Sequence, residues 1–238
     1  MIGRVLSSEF LKIRKKLLWL LVVAGPLGVV ALQAVNFGLR YDYLMKQYAA
    51  DPWGGLIENV SILALPALLI GLAIVASMAA GIEHQMNAWK MTLALPVTKR
   101  HVFAGKFLLT AFLLLCSCVL LVLFTVALGF ALGFGSSLPV GELLSAVFYP
   151  YLAAMPFIAL QSWLSVTMAN QAIPLTVGIV GMIVSTFAGS RFPDWVPYTW
   201  PQLNNEWGEP LYSVAMGVGT GIVVFLLGMA EFVRKDVK

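Results

Sequence analysis

Between Phe107 and Ser190, 84 consecutive residues contain a single Asp, Glu, Lys, Arg or His, namely Glu142. A soluble domain carries about 25% charged residues. This chain of 238 carries 11%, with 60% hydrophobic residues and a mean hydropathy of +0.89. A helix crossing a bilayer needs about 20 mostly apolar residues, so the uncharged stretch alone has room for three. The expected fold class is therefore all-α: a polytopic membrane protein, with one transmembrane domain over residues 1–238 and no separate soluble domain or internal repeat.

Apolar runs and their breaks predict six spans, about Leu17–Leu39, Asn59–Gly81, Val102–Phe134, Glu142–Met168, Ile173–Ser190 and Leu211–Val233. Prolines 26, 66, 150 and 156 fall inside them, and Pro150 with Pro156 is expected to bend the fourth. Lys and Arg mark the side facing the cytoplasm. Twelve of the fifteen lie in residues 1–16, in the loop between spans two and three, or in the tail; Arg40, Lys46 and Arg191 lie on the other side. Both termini and the central loop are expected in the cytoplasm, with residues 191–210 forming an outer loop rich in Pro and Trp. The net charge of +4 is not a nucleic-acid footprint, because the basic residues sit at span ends, where headgroups lie.

Residues 1–16 place Ile2, Val5, Leu6, Phe10 and Ile13 on one helical stripe, with Arg4, Ser7, Ser8, Lys12, Lys15 and Lys16 mostly off it. That is the pattern of a helix lying along the membrane surface, although a plain basic flank would carry the same charges. Cys116 and Cys118, at i and i+2 in an apolar helix, form neither a local disulfide nor a CxxC pair. Ser213, Gly217 and Gly221 give the last span a small-residue face, and Gly129 with Gly133 does the same for the third. Such faces allow close helix packing, within the subunit or between two subunits. Glu231 is spaced to pair with Arg234 or Lys235.

The candidate site is the one long polar interruption, Gly81–Lys106, which holds both histidines and four basic residues. Its apparent phosphate-loop ending, Gly105-Lys106, has Phe107 in place of Ser or Thr and Arg100 in place of the first Gly. Neither His84 nor His101 has a metal-ligand partner at useful spacing, and no HExxH occurs. No catalytic group, metal or cofactor is expected, so the chain does not read as an enzyme. The spans also lack the mid-depth ionisable groups with which ion-coupled carriers usually bind their driving ion. Any energy for transport would then enter from outside the spans, through this loop. Gln33, Asn36, Gln161 and Ser185 are the polar groups available to a substrate path, and buried amides commonly serve instead to bond neighbouring helices.

The run Glu83-His-Gln-Met-Asn-Ala-Trp-Lys90, followed by Leu93-Ala-Leu-Pro96 and Lys99–Lys106, resembles the loop between the second and third helices of type 2 ATP-binding cassette (ABC) permeases. It is most similar to the short six-helix subfamily of lantibiotic-immunity and bacitracin-resistance permeases. The resemblance implies an N-terminal interfacial helix (1–16) and a cytoplasmic coupling helix within residues 82–101 that docks on an ATPase dimer. Glu83, His84, Asn87, Trp89, Lys90, Leu95, Pro96, Lys99, Arg100 and Lys106 would form that contact. It further implies a second permease copy or sister permease, a bacterial plasma-membrane location, and export of an antimicrobial peptide. An ATP-independent carrier or channel and a non-transporting scaffold or sensor stay open beside it.

Overall fold

The computed structural model describes residues 2–14, 16–85, 97–188 and 192–234, without the side chains of residues 85 and 188. Among these residues all regular structure is helical. The helices are α1 (Ile2–Ile13), α2 (Leu18–Leu39), α3 (Tyr41–Gln47), α4 (Pro52–Gln85), α5 (Lys99–Ala131), α6 (Val140–Ala153), α7 (Met155–Thr167), α8 (Ala172–Ala188) and α9 (Pro210–Arg234), with a 3₁₀ turn at Pro197–Gln202. Four of them, α2, α4, α5 and α9, are long and apolar enough to cross a membrane, and the bent pair α6–α7 makes a fifth candidate. α8 is a shorter apolar helix.

Local chemistry sets the helix ends. Asp51 accepts the Gly54 N–H at 2.9 Å, capping α4 with Pro52 in the first helical position. Thr98 caps α5 by accepting from the His101 N–H. At 34 and 33 residues, α4 and α5 are roughly 50 Å long at 1.5 Å per residue, well over a hydrocarbon core of about 30 Å. α4 runs past its expected span at both ends, from Pro52 to Gln85 rather than Asn59 to Gly81, while α5 keeps the expected length but is shifted, beginning at Lys99 and stopping at Ala131. Gly133, with φ of 82°, lies in the turn beyond α5 and not on its face.

α4 is the hub, touching α2, α5, α6, α7 and α8. The expected bend falls at Ala154, where α6 and α7 meet at 44°. Pro156 sits in the first turn of α7, where its missing N–H interrupts the ladder between the two helices. α9 seats its small face in that notch. A Cβ on Gly217 would lie 2.5 Å from the Ala153 backbone, and one on Gly221 would lie 2.7 Å from Met155 Cβ. The small-residue face is thus used within the chain. Gly129 is occupied likewise, with the Trp53 ring pressed against it.

Candidate functional site

The site is built where α4 ends and α5 begins, beside α1. Along α1, Val5, Glu9 and Ile13 recur every four residues and form its buried face. Four charges meet beneath that face. Lys12 Nζ lies 2.6 Å from Glu9 Oε1 and 2.9 Å from Glu83 Oε1. Lys106 Nζ donates to Glu83 Oε2 at 2.6 Å and to the Ala79 carbonyl at 2.8 Å. Its contact with Glu9 Oε2, at 2.5 Å, is an ion contact without hydrogen-bond direction. Glu9 and Glu83 are each 1% exposed and Lys106 3%, while Lys12 forms the half-buried rim.

Two acids and two bases make the cluster neutral, which is the condition for burying charge at tolerable cost. Burial works against the Lys12 charge. Its hydrogen bonds to Glu9 and Glu83 and the field of both carboxylates outweigh that, raising its pKa above the ordinary lysine value of 10.5.

The remaining candidates surround this cluster. His84 Nε2 lies 3.1 Å from the Ser165 carbonyl at the end of α7. Lys99 donates to the Val233 carbonyl of α9 at 3.3 Å. His101 Nδ1 meets Thr98 Oγ1 at 2.5 Å, and Arg100 points outward. Phe103, fully buried, packs its ring 5.6 Å from Phe225 and 5.9 Å from Phe232. One end of the molecule thus ties α1, α4, α5, α7 and α9 together. Asn87, Trp89, Lys90, Leu95 and Pro96 lie outside the described residues. Glu83 and Lys106, expected on the ATPase-facing surface, are placed inside the chain, spending their charges on α1.

The four proposed path residues do not converge. Gln33 donates to the Asn59 carbonyl at 2.7 Å and accepts from Asn36 at 3.1 Å, between α2 and α4. Gln161 donates to the Pro174 carbonyl at 2.7 Å, and Ser185 to the Tyr198 carbonyl at 2.8 Å. Beside Gln161 there is a cavity of only about 20 Å³. A larger one, about 510 Å³, lies at the opposite end from the charges, lined by Ser61, Pro66, Pro150, Thr186, Pro201 and Gln202. Glu231 accepts from Trp163 Nε1 at 2.8 Å, a partner that short-range spacing did not suggest.

Sequence reasoning missed Glu9 and gave Lys12 no role beyond the polar side of a helix lying along the membrane surface. The signal for Glu9 was a carboxylate four residues from Val5 and four from Ile13, in the middle of an apolar stripe.

Long apolar helices around a central one, with their buried charges gathered at one end, define a membrane-embedded helical protein without an internal charged relay among the described residues. The family model described as "ABC-2 family transporter protein" matches residues 5–185. The chain belongs to that family and is a permease of the ABC transporter class. No curated protein and no solved structure matches it.

Proposed function

We propose that this chain is the membrane subunit of an ABC exporter, driven by a separate cytoplasmic ATPase dimer that docks on residues 82–101. It hydrolyses nothing itself and works beside a second permease copy or a sister permease. Counting α8 as a crossing and α6–α7 as one bent crossing gives six spans in the bacterial plasma membrane. Both termini then lie in the cytoplasm, with α1 along the inner surface. The observation that carries this reading is the position of the ion cluster: within the family, the buried charges of this chain gather at the end that holds residues 82–101.

The cargo of this reading is an amphipathic antimicrobial peptide, returned from the bilayer to the outside as immunity or resistance. The uncharged lining of the 510 Å³ cavity suits the apolar part of such a molecule. ATPase closure would move the α4–α5 loop and, through it, both helices.

The test is gentle affinity purification of the tagged chain from its host membranes. A co-eluting soluble subunit with a phosphate loop, in stoichiometric amount, is the expected result. Its absence in several mild detergents would overturn the reading and favour an ATP-independent carrier. A partner with no nucleotide-binding fold would favour a scaffold.

A further inference from the structure

The four buried charges belong to three helices far apart in sequence: Glu9 and Lys12 on α1, Glu83 on α4 and Lys106 on α5. Lys106 is further held by the Ala79 carbonyl, so its ammonium bridges α5 to two points on α4 while touching α1. Apolar helix faces slide past one another by an ångström or two at modest cost. A neutral charge cluster does not. Moving α1 away would break the Lys12–Glu83 and Lys106–Glu9 contacts together and leave each of the four charges with one partner where it had two, in a dry site where lost charge pairing is expensive.

Packing at Gly105 adds a second, independent tie. A Cβ on this glycine would stand 2.8 Å from Val5 Cγ1, so the absence of a side chain lets α1 lie directly against the α5 backbone. The opposite face of α1 presents Arg4, Ser7, Leu11 and Arg14 outward.

We propose that Glu9, Lys12, Glu83 and Lys106 are positioning residues that fasten α1 to the roots of α4 and α5, so that the three move as one body through the ATP cycle. α1 is then a working part of the coupling machinery, not a passive anchor. This rests on the exporter reading above. It assigns the cluster the task of carrying displacement of residues 82–101 into α1, whose exposed basic face meets the membrane surface.

A cross-link tests it directly. A Cβ on Gly105 would lie 3.9 Å from Val5 Cβ, inside the 3.5–4.5 Å range of disulfides. Val5→Cys with Gly105→Cys is introduced into a Cys116→Ser/Cys118→Ala background. The permease–ATPase complex is reconstituted in host-lipid vesicles, and ATP turnover is read before and after oxidation. The oxidised complex is expected to turn over within about twofold of the reduced one. A tenfold loss that a reductant reverses would show that α1 must part from α5, and would overturn the single-body inference. Failure of the disulfide to form would overturn the placement itself.

Adding Glu9→Gln to the cysteine pair should lower turnover at least threefold when reduced, and oxidation should restore it by replacing the ion tie with a covalent one. A disulfide that forms without restoring turnover would overturn the role given to the charges. If Glu9→Gln does not accumulate, Glu9→Gln/Lys106→Met, which keeps the remaining charges balanced, takes its place with the same two outcomes. A background complex lacking any ATPase partner would overturn the exporter reading together with this one. A background complex that turns over normally while the locked variant fails overturns this one alone.

Discussion

The two ends of α4 and α5 are held by opposite chemistry. At the Glu83 end, the helices meet through the Glu83–Lys106 ion pair of the four-charge cluster and the Lys106 bond to the Ala79 carbonyl. At the Trp53 end, the same helices meet through Trp53 packed edge-on to Phe130 and Phe134, at 5.6 and 5.8 Å, with Gly129 cleared to admit the indole. The neighbouring α2–α4 contact near that end uses the neutral Gln33 amide on the Asn59 carbonyl. Aromatic and amide contacts tolerate small relative rotations, because no buried charge loses a partner. An ion cluster offers two states only, closed or costly. The comparison teaches that the bundle is stiff at its charged end and compliant at its aromatic end, which suits a device pushed at one end and opening at the other.

The largest effect that would sharpen this contrast is expected from Glu83→Gln, which leaves two ammonium groups facing one carboxylate. It should cost about 3–5 kcal/mol, read as unfolding of the purified protein in mixed micelles. A loss under about 1 kcal/mol would mean that water reaches the cluster, and the stiff end would be no stiffer than the other. Next comes Gly217→Ala, which drives a methyl into the Ala153 backbone. Because backbone cannot rotate away, about 1–3 kcal/mol is expected by the same measurement, and a neutral result would mean α9 is not seated in the notch.

Gln33→Leu should cost only about 0.6 kcal/mol, the usual worth of a hydrogen bond between membrane helices. A cost rivalling that of Glu83→Gln would erase the distinction between the ends. The smallest effect concerns pH. The Lys12 pKa is raised on folding, so its stabilising contribution is fully present below its unfolded value near 10.5 and fades only as pH climbs through the higher folded value. Melting temperature should therefore show a strongly alkaline slope that Lys12→Met removes, with no Lys12-dependent change between pH 6 and 9.

The helical class, the spans α2, α4, α5 and α9, and the Pro150–Pro156 bend were legible in the chain because apolar length and proline position are local properties. The small face of α9 was legible too, and of its two expected uses the structure shows packing within the chain. The charge cluster was legible only by halves. Glu83 and Lys106 stood out as site residues, but their burial depends on Glu9, which is 97 residues from Lys106, and no spacing rule reaches that far. Helix ends were missed for a related reason. Apolarity stops at the membrane border, whereas the backbone continues as helix where neighbouring helices pack against it, as α4 does to Gln85 beneath α1. Gln33, Gln161 and Ser185 could be read either as path or as fastening, and each donates to a backbone carbonyl of another segment.

The notch at Ala154 has a consequence for how the molecule is made. α9 leaves the ribosome after the other described helices, and its glycines fit only once α6 and α7 have taken up their angle. Its arrival also delivers Glu231 to Trp163 and the Val233 carbonyl to Lys99. α9 is thus a keystone. Until it is inserted, the charged end lacks one of its walls, and a chain stalled before α9 would present the insertion machinery with an open bundle rather than a nearly finished one.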